Sequence, residues 1–213
     1  MTHRRYGLTI AAVTAAALLA GCQSGGAAPL SLSGLTETAN DMAPEGADTC
    51  PLPYDITKAA KAAGADAPAG PGPLNADGDP IATAEGGKHA EPGEALAENP
   101  GALVSCSFHI GQEDVEVHTV ATRKPQAIAP LAPVVQRLAG MPVDGLVAYM
   151  KQAGEAKAGE PTVTSSGNVA AVRLKPDDEG DAFLLVGVGD AGRSSLNQQR
   201  VADLAKALAD QVQ

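Results

Sequence analysis

Two long stretches of this chain carry few large apolar side chains, and this limits what the chain can bury. Residues 23–49 are rich in Gly, Ala, Ser and Thr, and residues 65–100 contain six prolines. Such composition does not bury enough apolar surface to offset the entropy lost on ordering. The whole chain of 213 residues has no Trp, three Tyr and two Phe, so the remainder supports one modest core. We therefore predict a single domain over 50–213 that contains a disordered acidic insertion at 65–100.

The negative charge of the chain is concentrated in the same two stretches. The sequence has 25 Asp and Glu residues against 15 Lys and Arg, which gives a formal net charge of −10. Residues 23–49 contain four acidic residues and no basic residue, and residues 65–100 contain seven acidic residues and one lysine. This acidity describes solvated segments rather than a binding face for a basic partner. It also argues against a nucleic-acid-binding protein, which needs a basic face.

The first 22 residues have the pattern of an export signal. Arg4 and Arg5 form a basic start, and the uncharged run YGLTIAAVTAAALLA over 6–20 leads directly into Gly21 and Cys22. A basic segment, an apolar stretch of about 7–15 residues and small residues at its exit are typical of a secretory signal peptide. The run is short for a membrane-spanning helix of about 20 residues. We therefore predict a cleaved signal peptide over 1–21, with an uncleaved membrane anchor as the alternative.

The tetrapeptide Leu19-Ala20-Gly21-Cys22 resembles the lipobox of bacterial lipoproteins, [Leu/Val/Ile]-[Ala/Ser/Thr]-[Gly/Ala]-Cys, at all four positions. The resemblance implies that the Cys22 thiol receives a diacylglycerol, that cleavage falls before it, and that the protein is held on the outer face of the cell membrane. Two or more acyl chains, such as palmitate, anchor a protein stably where one chain is marginal. Residues 22–49 would then form a lipidated N-terminus and a flexible tether with a reach of roughly 30 Å. An ordinary signal peptide with a coincidental cysteine is the alternative.

With Cys22 assigned to the lipid, two cysteines remain in the exported chain. Thiols outside the cytoplasm tend to oxidise, so we predict a disulfide between Cys50 and Cys106 that closes the acidic insertion into a loop. A pair of reduced, buried cysteines is the alternative. A metal site is disfavoured because no CxxC or His–Cys spacing accompanies these residues.

The remaining pattern predicts an α+β domain. Asp55 begins a short helix over 55–64 as its N-cap, and alternating apolar residues predict a hairpin of strands over 104–110 and 115–121. Two further helices are predicted over 131–139 and 145–157, and Asp144 is predicted to cap the second. Strands are predicted over 161–164, 169–175 and 182–188. A C-terminal helix is predicted from Leu196, with a Ser195–Gln198 capping box. Hairpins joined by short turns and flanked by helices favour an antiparallel sheet of about five strands over a doubly wound sheet.

The element order and three short motifs resemble a family of small two-cysteine actinobacterial lipoproteins of unknown function. The motifs are Cys50-Pro51-Leu52, the helix end Ala63-Gly64 and Cys106-Ser107-Phe108. The resemblance covers residues 50–213 and implies a disulfide and a PsbP-like antiparallel sandwich covered by helices. The long acidic insertion and the scarcity of aromatic residues depart from the family pattern. The family offers no catalytic residues to transfer.

Residues 187–192 spell the dinucleotide-binding string G-x-G-x-x-G. A dinucleotide site also needs a second parallel strand after the helix, with an acidic residue about 20 positions on. The last element predicted here is the helix itself. We therefore predict no nucleotide cofactor.

Two histidines and a glutamate fall on the outward face of the predicted hairpin. With a two-residue turn, Ser105 faces His118 and Asp114 faces His109, which keeps the histidines apart. With a four-residue turn, the histidines become diagonal neighbours at roughly 7–8 Å, beside Glu116. We expect two solvated histidines and no metal, because a third ligand is not evident.

Acidic residues also crowd two predicted turns, Asn75, Asp77 and Asp79 in one and residues 177–181 in the other. Neither turn has the spacing of an EF-hand loop, so solvated turns are the preferred interpretation and weak calcium binding is the alternative. His89 lies in the predicted disordered insertion and is given no role.

These observations predict a non-enzymatic extracytoplasmic lipoprotein whose domain binds a small ligand or an envelope protein, with no cofactor. No G-x-S-x-G sequence occurs, so an α/β-hydrolase nucleophile has no support. The alternative is a cell-envelope hydrolase whose carboxylates gather only in the fold. That alternative predicts Asp or Glu side chains with shifted pKa values in one cleft.

Overall fold

A computed structural model describes residues 29–43, 45–74, 82–84 and 90–213. The predicted signal peptide, Cys22, and the turn and histidine candidates Asn75, Asp77, Asp79 and His89 lie outside the described residues. The elements are, in chain order, α1 (Leu32–Asp41), α2 (Ile56–Ala62), β1 (Ala69–Pro71), β2 (Ala82–Ala84), α3 (Ala95–Glu98), β3 (Gly101–Ile110), β4 (Glu113–Thr122), a 3-10 turn (Ala129–Leu131), α4 (Ala132–Ala139), α5 (Val143–Glu155), β5 (Pro161–Val163), β6 (Val169–Leu174), β7 (Asp181–Val188) and α6 (Gln198–Ala209).

The strands form one antiparallel sheet in the order β1-β3-β4-β7-β6-β5, and β2 pairs with the same edge of β3 as β1. The described sheet therefore has seven strands and is six strands wide. The predicted α+β fold with an antiparallel sheet flanked by helices is confirmed. The two strands beyond the expected five, β1 and β2, come from the segment that was predicted to be disordered.

Each face of the sheet carries its own hydrophobic core, so the expectation of one core is wrong. Helices α1, α2 and α6 cover one face, where Cys106 and Phe108 of β3 point. The 3-10 turn with α4 and α5 covers part of the other face, where Phe183 and Tyr149 are buried. Alternate side chains of a strand point to opposite faces, so each central strand contributes to both cores.

The Cys50–Cys106 disulfide is confirmed, and its two cysteines are 56 positions apart in the chain. Cys106 is 1% exposed on the middle of β3. The bond joins the segment between α1 and α2 to the central part of the sheet.

The prediction of a flexible tether over 22–49 is wrong for residues 30–41. Helix α1 begins after Ser31, whose hydroxyl accepts a hydrogen bond from the Gly34 backbone N–H at 3.0 Å. Leu35 and Ala39 lie one turn apart on one face of α1 and are 1% and 3% exposed. These two side chains belong to the first core, so α1 is part of the domain.

The prediction of disorder over 65–100 is wrong for β1 and β2. Strand β1 pairs with residues 108–110 of β3, and β2 pairs with residues 104–106. The outer edge of β3 presents backbone N–H and C=O groups that need hydrogen-bond partners. The two short strands β1 and β2 provide those partners. A hydrophobic pattern does not reveal β1, because its three residues include a glycine and a proline and are not buried. Main-chain pairing with β3 holds this strand in place.

Two predicted helix caps are wrong and one is confirmed. Asp55 caps α2 by accepting from the Lys58 N–H. Pro142 is the N-cap of α5, so Asp144 lies within its first turn. Asn197 caps α6 by accepting from the Arg200 N–H. Ser195, predicted as that cap, instead bonds to Glu113.

Candidate functional site

An open groove lies at the end of the sheet where the β3–β4 hairpin turns, and we call it the hairpin groove. Its volume is about 810 Å³. The hairpin, the C-terminal end of α4 and the loop between β7 and α6 form its walls. The lining residues are Gln112, Glu113, Asp114, Glu116, Arg137, Leu138, Gly187, Gly189, Asp190, Ala191 and Arg193.

The hairpin has the two-residue turn that separates the histidines. Ser105 pairs with His118 and His109 pairs with Asp114 in the β3–β4 register. Gly111 has a φ of 63°, which suits the first position of a type II′ turn and favours glycine there. Within the described ranges, no three His, Cys, Asp or Glu side chains are placed to hold a metal ion.

A chain of polar side chains runs across the hairpin into α4. The Ser105 hydroxyl lies 2.7 Å from Nδ1 of His118, and Nε2 of His118 lies 3.1 Å from Glu116. Arg137 of α4 donates to both carboxylate oxygens of Glu116, at 3.0 and 2.6 Å. Because a carboxylate only accepts hydrogen bonds, Nε2 of His118 donates to Glu116.

The expectation of two solvated histidines is wrong for His118, which is only 6% exposed. Both of its ring nitrogens take part in the polar chain just described. His109 is half-buried, and its Nδ1 donates to the Gly72 carbonyl at 3.0 Å. Glycine is needed at position 70 because a Cβ there would come within 2.9 Å of the His109 ring.

Glu116 is held ionised by its partners. Burial of its carboxylate is the largest single influence and raises the pKa, but the hydrogen bonds and charges of His118 and Arg137 together outweigh it and lower the pKa of Glu116 to about 2. The bond to Glu116 in turn raises the pKa of Arg137. A carboxylate fixed in this way contributes a permanent charge and a fixed orientation to the groove wall.

Replacing Glu116 with glutamine should make the domain less stable at neutral pH and less sensitive to acid. A pKa lowered in the folded state stabilises the protein above the unfolded pKa of about 4.5, and this contribution is lost as the pH falls toward 2. With the partial exposure of the pair taken into account, we expect E116Q to cost about 2 kcal/mol at pH 7.

Urea unfolding from pH 7 down to pH 2 measures the effect. The difference between wild type and E116Q should shrink below pH 4.5. The exposed Glu155→Gln is the matched control and should track the wild type throughout. A difference for E116Q that stays constant over this pH range would contradict the ion-pair account.

Glu113, which directly follows the turn of the hairpin, positions the second wall of the groove. Its carboxylate accepts from the Ser195 backbone N–H at 2.7 Å and from the Ser195 hydroxyl at 2.8 Å. A Cβ at Gly189 would lie 3.1 Å from this carboxylate, and the φ of Gly189 is +55°. The loop after β7 is thus fastened to the hairpin.

A buried asparagine ties this loop to α4. Nδ2 of Asn168 donates to the carbonyls of Leu138 and Gly189, at 2.9 and 3.2 Å. Asn168 is fully buried, and its Oδ1 has no hydrogen-bond partner. A Cβ at Gly187 would come within 2.7 Å of Leu138, so glycine lets α4 approach the sheet here. The first two glycines of the G-x-G-x-x-G string therefore serve packing, and all described strand pairs are antiparallel.

Two carboxylates of the acidic turn at 177–181 are engaged rather than merely solvated. Asp178 accepts from the Leu32 and Ser33 backbone N–H groups at the start of α1, at 2.9 and 3.2 Å. These bonds, that of Leu32 first, lower the pKa of Asp178. Asp181 is 4% exposed, accepts from Arg173 at 2.9 Å, and also accepts from two backbone N–H groups. The turn thus supports the fold.

The order of groups in the polar chain of the hairpin raises the question of acyl transfer. Ser105, His118 and Glu116 have the order of a nucleophile, a base and an orienting carboxylate. Acyl transfer also needs donors for a developing oxyanion, which are commonly backbone N–H groups. At Ser105, strand β3 is paired on both edges, with β2 and β4, so the sheet takes up the backbone donors.

Comparisons with protein-family models, with curated proteins and with solved structures find no significant match to this chain. Among the residues described, no helix combines the length and apolar character needed to cross a bilayer.

Proposed function

We propose that this chain is a lipoprotein, anchored through Cys22 to the outer face of the cell membrane, whose domain binds a small polar ligand or an envelope protein without catalysing a reaction. The lipobox supports the anchoring. The Cys50–Cys106 disulfide supports an oxidising, extracytoplasmic location.

The observation that carries the binding role is the bidentate Glu116–Arg137 pair on the wall of an open groove. Its two short hydrogen bonds hold the guanidinium in place, yet the Arg137 side chain remains 58% exposed. Groups that are already oriented lose little freedom when a ligand binds. The pair therefore presents a preformed polar surface.

The charges around the groove indicate what kind of ligand fits it. Arg137 and Arg193 supply positive charge, while Glu113, Asp114 and Asp190 supply negative charge. Pockets for drug-like molecules are concave and mostly apolar, whereas this groove is open and charged. We therefore favour a ligand with both charged and hydrogen-bonding groups, or a polar segment of an envelope protein.

Filling the groove should abolish binding. Ala191 is exposed and lines the groove, so Ala191→Trp occupies the space without disturbing the core. Ala158 is exposed in the turn before β5 and is absent from the groove lining, which makes Ala158→Trp the matched control. Native mass spectrometry of the full chain, purified from the membrane of the exporting cell, should show extra mass retained by wild type and A158W and lost in A191W.

Retention of that mass by A191W would contradict binding at the groove. A bare mass for the wild type would contradict a tightly held small ligand. Cross-linking from position 191 on the cell surface then tests the protein partner, and the absence of a cross-linked partner would contradict the binding role.

A hydrolase is the second candidate, and one observation favours it. Four carboxylates, those of Glu113, Asp114, Glu116 and Asp190, line one groove. A general acid needs a raised pKa, whereas the pKa of Glu116 is lowered, so this candidate ranks second. It predicts that the wild type releases soluble fragments from isolated cell envelopes and that an E113Q/E116Q variant does not.

A further inference from the structure

We infer that the anchored domain holds the Leu30 end of its sheet toward the bilayer and presents the hairpin groove away from it. The groove then receives its ligand from the aqueous side rather than from lipid headgroups. This inference rests on the proposed anchoring through Cys22, and it deepens that proposal by assigning an orientation and a source of ligand.

The chain enters the domain at a fixed point, Leu30. The Leu30 N–H donates to the Val212 carbonyl at 2.9 Å, and the Leu30 carbonyl accepts from the Asp177 N–H at 2.8 Å. Leu30 is 7% exposed. Asp178 then holds the first turn of α1 through the N–H groups of Leu32 and Ser33. These contacts reach the C-terminal end of the chain and the β6–β7 turn, so the domain is anchored from that end of the sheet.

The segment between the anchor and this fixed point is short. Eight residue steps separate Cys22 from Leu30. At no more than about 3.6 Å per residue, they span at most about 29 Å. A tether running to Cys50 would have allowed the domain to turn freely, but the folding of α1 removes most of that length.

The hairpin groove lies at the opposite end of the sheet. Leu30 contacts the turn that leads into Asp181, the first residue of β7, and the groove begins beyond Val188, the last residue. The register of β4 agrees, because Thr122 pairs with Asp181 and Val115 with Val188. The seven steps along β7 cover about 23 Å. If the groove faced the bilayer, Leu30 would lie farther from the membrane by at least the length of β7. The segment between Cys22 and Leu30 would then have to be almost fully extended.

The Leu30 end of the sheet carries charges of both signs. Asp177, Asp178 and Glu179 lie at the turn that receives Leu30, and the exposed basic residues Arg123, Lys124 and Lys175 lie at the same end of the sheet. Zwitterionic phosphatidylcholine is the appropriate test bilayer because it adds no net surface charge.

Energy transfer from the protein to the bilayer tests the orientation. The full lipidated chain is reconstituted in phosphatidylcholine vesicles that carry an acceptor dye at the headgroup. A donor dye is attached to Glu179→Cys at the Leu30 end or to Asp190→Cys at the groove, both exposed positions. We expect transfer from position 179 to exceed transfer from position 190 several-fold. Cys22→Ala versions of both labelled chains are the control and should show no transfer.

Intact mass is measured first and separates the two possible failures. If Cys22 carries lipid and transfer from position 190 equals or exceeds that from position 179, the orientation is overturned while the anchoring stands. If Cys22 carries no lipid, the proposed anchoring fails and this inference fails with it.

Discussion

Replacing Cys50 and Cys106 together with alanine is expected to lower the free energy of unfolding by about 4 kcal/mol. The bond closes a loop of 56 positions, and in the chain-entropy model a loop of that length stabilises the folded state by about this amount. Urea unfolding monitored by far-UV circular dichroism measures the change. The reduced wild type is the control: it lacks the same bond but keeps both cysteine side chains, so it should unfold at the same or a slightly higher urea concentration than the double variant.

The loss of stability in the double variant should come mainly from the opened loop and not from the lost packing of the cysteine side chains. Cys106 is buried, so the C106A change alone also removes a core contact. Comparing the oxidised and the reduced wild type isolates the bond, since the side chains are then the same. Equal midpoints for these two forms would contradict the stabilising role of the disulfide.

Replacing Leu35 with alanine is expected to lower the free energy of unfolding by about 3 kcal/mol. Leu35 is 1% exposed and packs into the first core, so truncation leaves a cavity that the surroundings only partly fill. Glu37→Ala, exposed on the same helix, is the matched control and should change stability by less than about 0.5 kcal/mol. An L35A midpoint equal to that of the control would show that α1 does not pack on the domain.

Much of the fold could be predicted from the spacing of apolar residues and from turn chemistry. The hairpin followed from alternation on both sides of Gly111-Gln112, and α2 followed from an N-cap and one apolar face. The disulfide followed from counting cysteines once Cys22 was set aside.

Helix α1 was missed although part of its signal is present in the sequence. Leu32, Leu35 and Ala39 have helical spacing, and Ser31 is a suitable N-cap. The surrounding segment contains few large apolar residues, and for this reason it was interpreted as a flexible tether. The other part of the signal is absent from the local sequence, because Asp178, which holds the first turn, lies 146 positions away from Leu32.

Only some of the residue contacts at the groove could be predicted from the sequence. The facing pair Ser105 and His118 followed from the register of a two-residue turn. Arg137 reaches Glu116 from a helix 21 positions later in the chain, and Asn168 joins α4 to the loop after β7, which are distant in sequence. Such contacts depend on how α4 is placed against the sheet, which no local pattern encodes.

The anchoring, the orientation and the source of ligand all depend on the modification of one residue, Cys22. The most direct test is the mass of the N-terminal peptide of the mature protein, isolated from the membrane fraction of the exporting cell. We predict a chain that begins at Cys22 and carries a diacylglycerol on the cysteine sulfur. A mature chain with a free Cys22 thiol, or one that begins at another residue, would contradict the account.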